Sequence, residues 1–156
     1  MERTLLILKP DALQRRLAGR LLSRFEEKGF QIIAAKMARL PEQTIREHYA
    51  AHKGKPFYEP LVRYMTAQPV LLVVVRAKSA VAIARKMMGA TFGSNAEPGT
   101  IRGDFAVSNR FNLIHGSDSS EAAEKEIALF FSREEIHDTP DSQEALLYDL
   151  STGERV

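Results

Sequence analysis

Apolar side chains along this chain come in short unbroken runs, separated by stretches in which they recur every three or four positions. Thr4 to Leu8 is the first run. It reads as a buried strand that stops at Lys9-Pro10-Asp11, because proline opens a helix but cannot continue a central strand. Leu13, Leu17, Leu21 and Phe25 then recur at helical spacing with Leu22 beside them, and Gly29 ends that helix in the C′ position glycine favours. Phe30 to Leu40 reads as a second strand carrying Ile32, Ile33 and Met37, and Pro41-Glu42 opens a short helix through Tyr49. After the break at Lys53-Gly54-Lys55-Pro56, Phe57 to Ala67 predicts a further helix with Leu61 and Tyr64 on it, closed by Gln68-Pro69. Val70 to Val75 is an unbroken apolar run that predicts a strand, and Ser79 is placed to cap an alanine-rich helix running to Gly89.

From Gly89 to Arg110 no period is sustained. So long a segment without regular structure is uncommon in a compact domain unless it binds something, and Thr91, Gly93, Gly99, Arg102 and Gly103 mark it as a binding loop. Phe111 to Ile114 predicts the last strand, leading into His115. Asp118 with Glu121 resembles a capping box, and Ala123, Ile127, Phe130 and Phe131 give the next helix its buried stripe. Strands alternating with helices in this order make an α/β plan, with helices covering one face of a four-stranded sheet.

At 156 residues the chain suits one domain. It has no cysteine, which removes disulfides, thiolate metal sites and a cysteine nucleophile, and which fits an intracellular protein. The short apolar run after Met1 predicts neither a signal peptide nor a membrane span, so a cytoplasmic location is expected. The formal net charge of +2 hides an asymmetry: residues 132–156 carry seven acidic side chains against Arg133 and Arg155, so the body is basic and the tail acidic. A basic body suits anionic ligands such as nucleotides or nucleic acid, although a solvated charged surface accounts for it equally well.

The candidate chemistry centres on His115. A histidine where a strand ends and a helix is about to begin exposes its imidazole to a cleft, and free N–H groups at the new helix suit an anion. Taken alone, it also reads as an ordinary strand-end histidine. The chain has no Walker loop, since Gly54-Lys55 is followed by Pro56, and it has no GxSxG elbow, HExxH helix or EF-hand loop. Side-chain cations remain as the means of holding phosphate: Lys9 at a strand end, Arg85 near a helix end and Arg102 in the long loop. Each by itself reads as a surface charge.

Together with Thr91 and with Asn112-Leu113-Ile114-His115-Gly116-Ser117-Asp118-Ser119, these residues resemble the nucleoside diphosphate kinase family in kind and in chain order. The likeness also runs through Arg24 to Phe30, His48-Tyr49, Lys55-Pro56-Phe57 and Pro98 to Asp104, and it reaches Glu135. It implies a ferredoxin-like α+β sandwich with a four-stranded antiparallel sheet, assembled as a homotetramer or homohexamer. It further implies transfer of the terminal phosphate of a nucleoside triphosphate, mainly ATP, to nucleoside diphosphates. That transfer would be ping-pong through a phosphohistidine on His115, without a need for nucleic acid or membrane. By the family's pattern Glu126 fixes the His115 tautomer and Lys9, Arg85, Thr91 and Arg102 hold phosphate. Tyr49 points its hydroxyl at the transferred group, Asn112 with Lys9 holds the sugar, and Phe57 stacks on the base beside Leu61. Mg²⁺ is the implied cofactor, held mainly by nucleotide phosphates, with Asp118 reaching it through water. The other class of reading is a non-catalytic nucleotide or nucleic-acid binding module on the same fold, for which the set His115 with Glu126 has no use.

Two positions depart from the family's pattern. Phe92-Gly93 follows Gly89-Ala90-Thr91 where the family continues with Asn-Pro, and Asn109 stands where a small apolar residue commonly meets the base. Residues 1–137 make the kinase-like domain and 138–156 a tail. In that tail Asp138-Thr139-Pro140-Asp141 reads as a turn and Glu144 to Leu150 as a short helix docking on a neighbouring subunit through Leu146, Leu147 and Leu150.

Overall fold

The two longest apolar runs form the central strands of a four-stranded antiparallel sheet. The computed structural model describes residues 1–140, 142–149, 151, 152 and 154. Strand β1 spans Glu2–Leu8, β2 Gln31–Ala38, β3 Val70–Ala77 and β4 Ile114–Gly116, in the order β2-β3-β1-β4. Because β1 and β3 are apolar without alternation, both sheet faces need cover. Leu5, Ile7, Leu72 and Val74 face one core with helices α3 (Glu42–His48), α4 (Tyr58–Ala67) and α7 (Ser120–Phe130). Leu6, Leu8, Val73 and Val75 face the other, with α2 (Ala18–Glu27), α5 (Ala80–Met88) and α6 (Ile101–Phe105). The helices therefore cover two faces, not the one that element order alone predicts.

The expected first helix is broken in two, with α1 at Pro10–Gln14 before α2. Arg16 takes φ +58, and Leu17 N–H bonds the Ala12 carbonyl, a helix-ending motif made without the glycine that would have announced it. At the end of α2 the same motif uses Gly29 as predicted. Phe30 N–H reaches the Phe25 carbonyl, and the two rings meet edge to face at 5.6 Å.

Two caps differ from expectation. Ser79 precedes α5 but sits at φ 56 with no side-chain cap bond, and the Glu2 carboxylate takes the Val81 N–H instead. Ser119, not Asp118, caps α7 by accepting from Ala122 N–H. The segment after Gly89 is not structureless: it holds a 3₁₀ turn at Gly93–Asn95 and α6, capped by Thr100. The last strand begins later than predicted, so His115 lies within β4 and not after it.

The tail fastens to its own chain. Arg76 on β3 pairs with Asp138 and Glu144, His137 N–H bonds the carbonyl of Ile33, and the buried Tyr148 hydroxyl accepts from Lys78 N–H. Leu147 of α8 (Glu144–Leu147) packs over Gly29, while Leu146 is 76% exposed. Asp141 of the expected turn and Leu150 of the expected helix lie outside the described residues. Among the described residues no helix is long and apolar enough to cross a membrane.

Candidate active site

His115 is placed by the sheet. It pairs with Ile7 across β1 and β4, and Gly116 beyond it leaves room for Met88, whose sulfur would lie 2.6 Å from any Cβ there. Before the strand, Leu113 is held at φ 70, a conformation that costs a non-glycine residue on the order of 1 kcal/mol or more. Three contacts impose it. The Asp11 carboxylate accepts from Leu113 N–H at 3.1 Å, Lys9 N–H donates to the Leu113 carbonyl at 2.8 Å, and Tyr64 donates its hydroxyl to the other Asp11 oxygen. Asp11 is thus a buried clamp on the strand that carries His115, a role its place in Lys9-Pro10-Asp11 did not disclose.

Glu126 on α7 faces the imidazole, with its oxygens 3.1 and 3.2 Å from His115 Nε2. Ser117, fully buried, donates its hydroxyl to the same carboxylate at 2.6 Å and accepts from Leu5 N–H. Burial pushes the Glu126 carboxyl up, but the hydrogen bonds from His115 and Ser117 outweigh it and hold it below the ordinary carboxylate range. An ionised carboxylate has no proton to give, so the proton sits on Nε2 and the lone pair on Nδ1. Among the described residues no protein group hydrogen-bonds Nδ1.

Two neighbours complete the wall. His48 sets its ring edge-on to His115 at 4.6 Å, and burial lowers its pKa to about 3, which leaves it neutral. The Tyr49 hydroxyl is buried without a hydrogen-bond partner among the described residues; burial raises its pKa and keeps it a proton donor. Neither ring nitrogen of His48 finds a partner among the described residues, and sequence reasoning did not single this residue out.

The cations differ in kind. Arg102 is buried and spends three of its N–H groups on the carbonyls of Gly89 at 2.9 Å, Asn112 at 3.2 Å and Ile114 at 2.7 Å. Burial, with Arg85 nearby, lowers its pKa to about 10. Lys9 donates to Asn112 Oδ1 at 2.7 Å, and burial, helped by Arg102 and opposed by Asp11, lowers its pKa to about 8. Arg85, in the last turn of α5, is exposed and makes no hydrogen bond or ion pair among the described residues.

His115, Glu126, His48, Tyr49 and the three cations line one cleft of about 1230 Å³, together with Phe57, Leu61, Thr91 and the exposed Asp118. Phe57 presents a ring 49% exposed. Asn112 Nδ2 bonds the Thr91 carbonyl at 2.8 Å, which ties the long loop to the strand before His115. The two departures from the family's pattern meet here. Ser94, next to Gly93, donates to Asn109 Oδ1 at 2.9 Å, and both Phe92 and Asn109 line the cleft. Gly93 is required by close approach, because a Cβ there would lie 1.7 Å from the Ala106 carbonyl oxygen.

The family model described as nucleoside diphosphate kinase matches residues 2–136. The chain belongs to the nucleoside diphosphate kinase family. A nucleoside diphosphate kinase of Pelotomaculum thermopropionicum is 52% identical over 136 residues, covering 87% of this chain and 91% of that protein. One from Staphylococcus epidermidis is 46% identical and covers 96% of this chain and all of its own length. Among solved structures, a halophilic nucleoside diphosphate kinase from Halobacterium salinarum in complex with CDP superposes with a TM-score of 0.93 at 43% identity, covering 95% of this chain and 99% of that one. The fold is accordingly the family's ferredoxin-like sandwich.

Proposed function

We propose that this member of the family transfers the terminal phosphate of a nucleoside triphosphate to a nucleoside diphosphate through a phosphohistidine on His115. The observation that carries the proposal is the pairing of His115 Nε2 with Glu126, which leaves Nδ1 unpartnered in a cleft walled by Lys9, Arg85 and Arg102. In the first step Nδ1 attacks the terminal phosphorus, the bond to the bridging oxygen breaks, and the nucleoside diphosphate departs with that electron pair. The positive charge that forms on the ring is met by Glu126 through Nε2–H. In the second step a terminal oxygen of the acceptor diphosphate attacks phosphorus, the P–N bond breaks and the neutral imidazole returns.

Phosphoryl transfer asks chiefly for positioned charge. Arg102, pinned by three carbonyls, keeps two of its five N–H groups for phosphate and needs no reorganisation. Arg85 is free to follow the moving group, and Tyr49 offers the neutral hydroxyl that lacks a hydrogen-bond partner among the described residues. Thr91 adds a further phosphate contact. Lys9 with Asn112 holds the sugar, and Phe57 beside Leu61 stacks on the base, a contact indifferent to base identity.

Mg²⁺ fits this cleft as an ion brought by the nucleotide. Asp118 is the exposed carboxylate beside His115 and suits one water-bridged contact, and no oxygen cage surrounds it among the described residues. When bound, the ion neutralises phosphate charge. A homotetramer or homohexamer belongs to the same proposal, and light scattering that returned only monomer would remove that part.

Two kinetic outcomes follow from the site. Initial rates with both nucleotides varied should give parallel double-reciprocal lines, whereas lines that intersect would exclude a free phosphoenzyme. Lys9, with its pKa lowered to about 8, loses charge as pH rises through that value, so kcat/KM should fall above about pH 8. Bound phosphate favours the ammonium, so the same limb in kcat should lie at higher pH. Lys9→Arg should abolish the limb, because guanidinium stays charged. A limb of unchanged position in that variant would assign it to another group.

A further inference from the structure

His48 carries two buried ring nitrogens without a hydrogen-bond partner among the described residues, and its side chain is only 1% exposed. Its Nδ1 lies 3.7 Å from Glu126 Oε1, and His115 Nε2 lies 3.2 Å from the same oxygen. One ligating atom from each of the three residues falls within 4.8 Å of the others. A tetrahedral metal with bonds of about 2.0–2.1 Å spaces its ligand atoms roughly 3.4 Å apart, so both measured separations already match to within a few tenths of an ångström. All three residues line the cleft, which leaves the fourth position open to water or a phosphate oxygen.

We propose that His48, His115 and Glu126 form a site for a divalent transition metal of the zinc or cobalt type, and that metal bound there blocks phosphoryl transfer. Two imidazoles and one carboxylate are the ligands such ions prefer. Mg²⁺ favours oxygen and keeps its waters, and Lys9 and Arg102 oppose any dication that gains only charge attraction. The inhibition is chemical as well as steric. A metal bonds Nε2 through that nitrogen's lone pair, so the Nε2–H bond must break and the proton is then carried by Nδ1. The atom that would attack phosphorus becomes an N–H, and Glu126 is withdrawn from the charge that it would otherwise meet. This blocking step rests on the proposed role of Nδ1, whereas metal binding itself does not.

The test uses the full-length, unphosphorylated protein without nucleotide, titrated with Co²⁺ in buffer containing Mg²⁺. One equivalent should produce the intense visible absorption of four-coordinate Co²⁺, and Zn²⁺ should displace it. His48→Gln and Glu126→Gln should each weaken binding by roughly 100-fold or more, since losing a ligand costs at least as much as losing its outer partner. His137→Gln, on the exposed tail, should leave binding unchanged. Thermal melting of each variant checks folding, and a Zn²⁺-induced rise in melting temperature confined to proteins with all three ligands gives a second readout. No absorption band, or one that survives both ligand substitutions, would overturn the site. A metal-loaded protein as active as the metal-free one would overturn the block. The band is read without substrate, so a failure of the kinase reading would leave it standing.

Discussion

His115→Ala should abolish phosphoryl transfer, lowering kcat by roughly 10⁵ or more, the scale seen when a covalent nucleophile is removed. Nothing beside it can take over. His48 is neutral, but its side chain is only 1% exposed with its ring edge-on to His115, and the Tyr49 hydroxyl is held protonated by burial. The fold should survive, because His115 joins β1 through its backbone and its side chain is 20% exposed at the cleft wall. Stability should change by about 1 kcal/mol or less. A coupled assay with ATP and a diphosphate acceptor, paired with a melting curve, separates the two effects. A loss below tenfold would mean that phosphate passes directly between nucleotides.

Arg102→Lys should damage stability and activity together, whereas Arg85→Lys should damage activity alone. The Arg102 guanidinium is buried and bridges three carbonyls from the end of α5 and the strand carrying His115; a lysine ammonium satisfies one of them and strands the others. The expected loss is about 3 kcal/mol, or a fall in melting temperature of about 10 °C at constant protein concentration. The loss of a preorganised charge should also lower kcat/KM by about 10²–10³. Arg85 has no partner to strand among the described residues, so its substitution should leave the melting temperature within the scatter of the wild type. Equal melting temperatures for the two variants would contradict the structural role of Arg102.

The sequence patterns that proved informative were those with strong local chemistry. The unbroken runs of β1 and β3 announced central strands, and the same lack of alternation already implied cover on both faces, which element order alone concealed. Gly29 ended its helix where glycine should. Arg16 ended one with no such mark, because a non-glycine residue in the left-handed region is imposed by packing. The site residues could be gathered only through the family's motif, since Lys9, Arg85 and Arg102 are separately indistinguishable from surface cations. Asp11 and Ser117 stood within quoted motifs, yet their bonds to Leu113 and Glu126 span 102 and 9 positions and leave no periodic trace. His48 stood within a quoted motif, but the two ring nitrogens that find no hydrogen-bond partner among the described residues, and their place beside the His115–Glu126 pair, are visible only in three dimensions.

Phosphate should pause on His115 between two nucleotides. Protein incubated with γ-labelled ATP and freed of nucleotide should carry one acid-labile, base-stable phosphate per chain, located on His115 by fragmentation, and added nucleoside diphosphate should remove it as labelled triphosphate. Full turnover with no isolable label, or with the label on another residue, would rule out a phosphohistidine at this position.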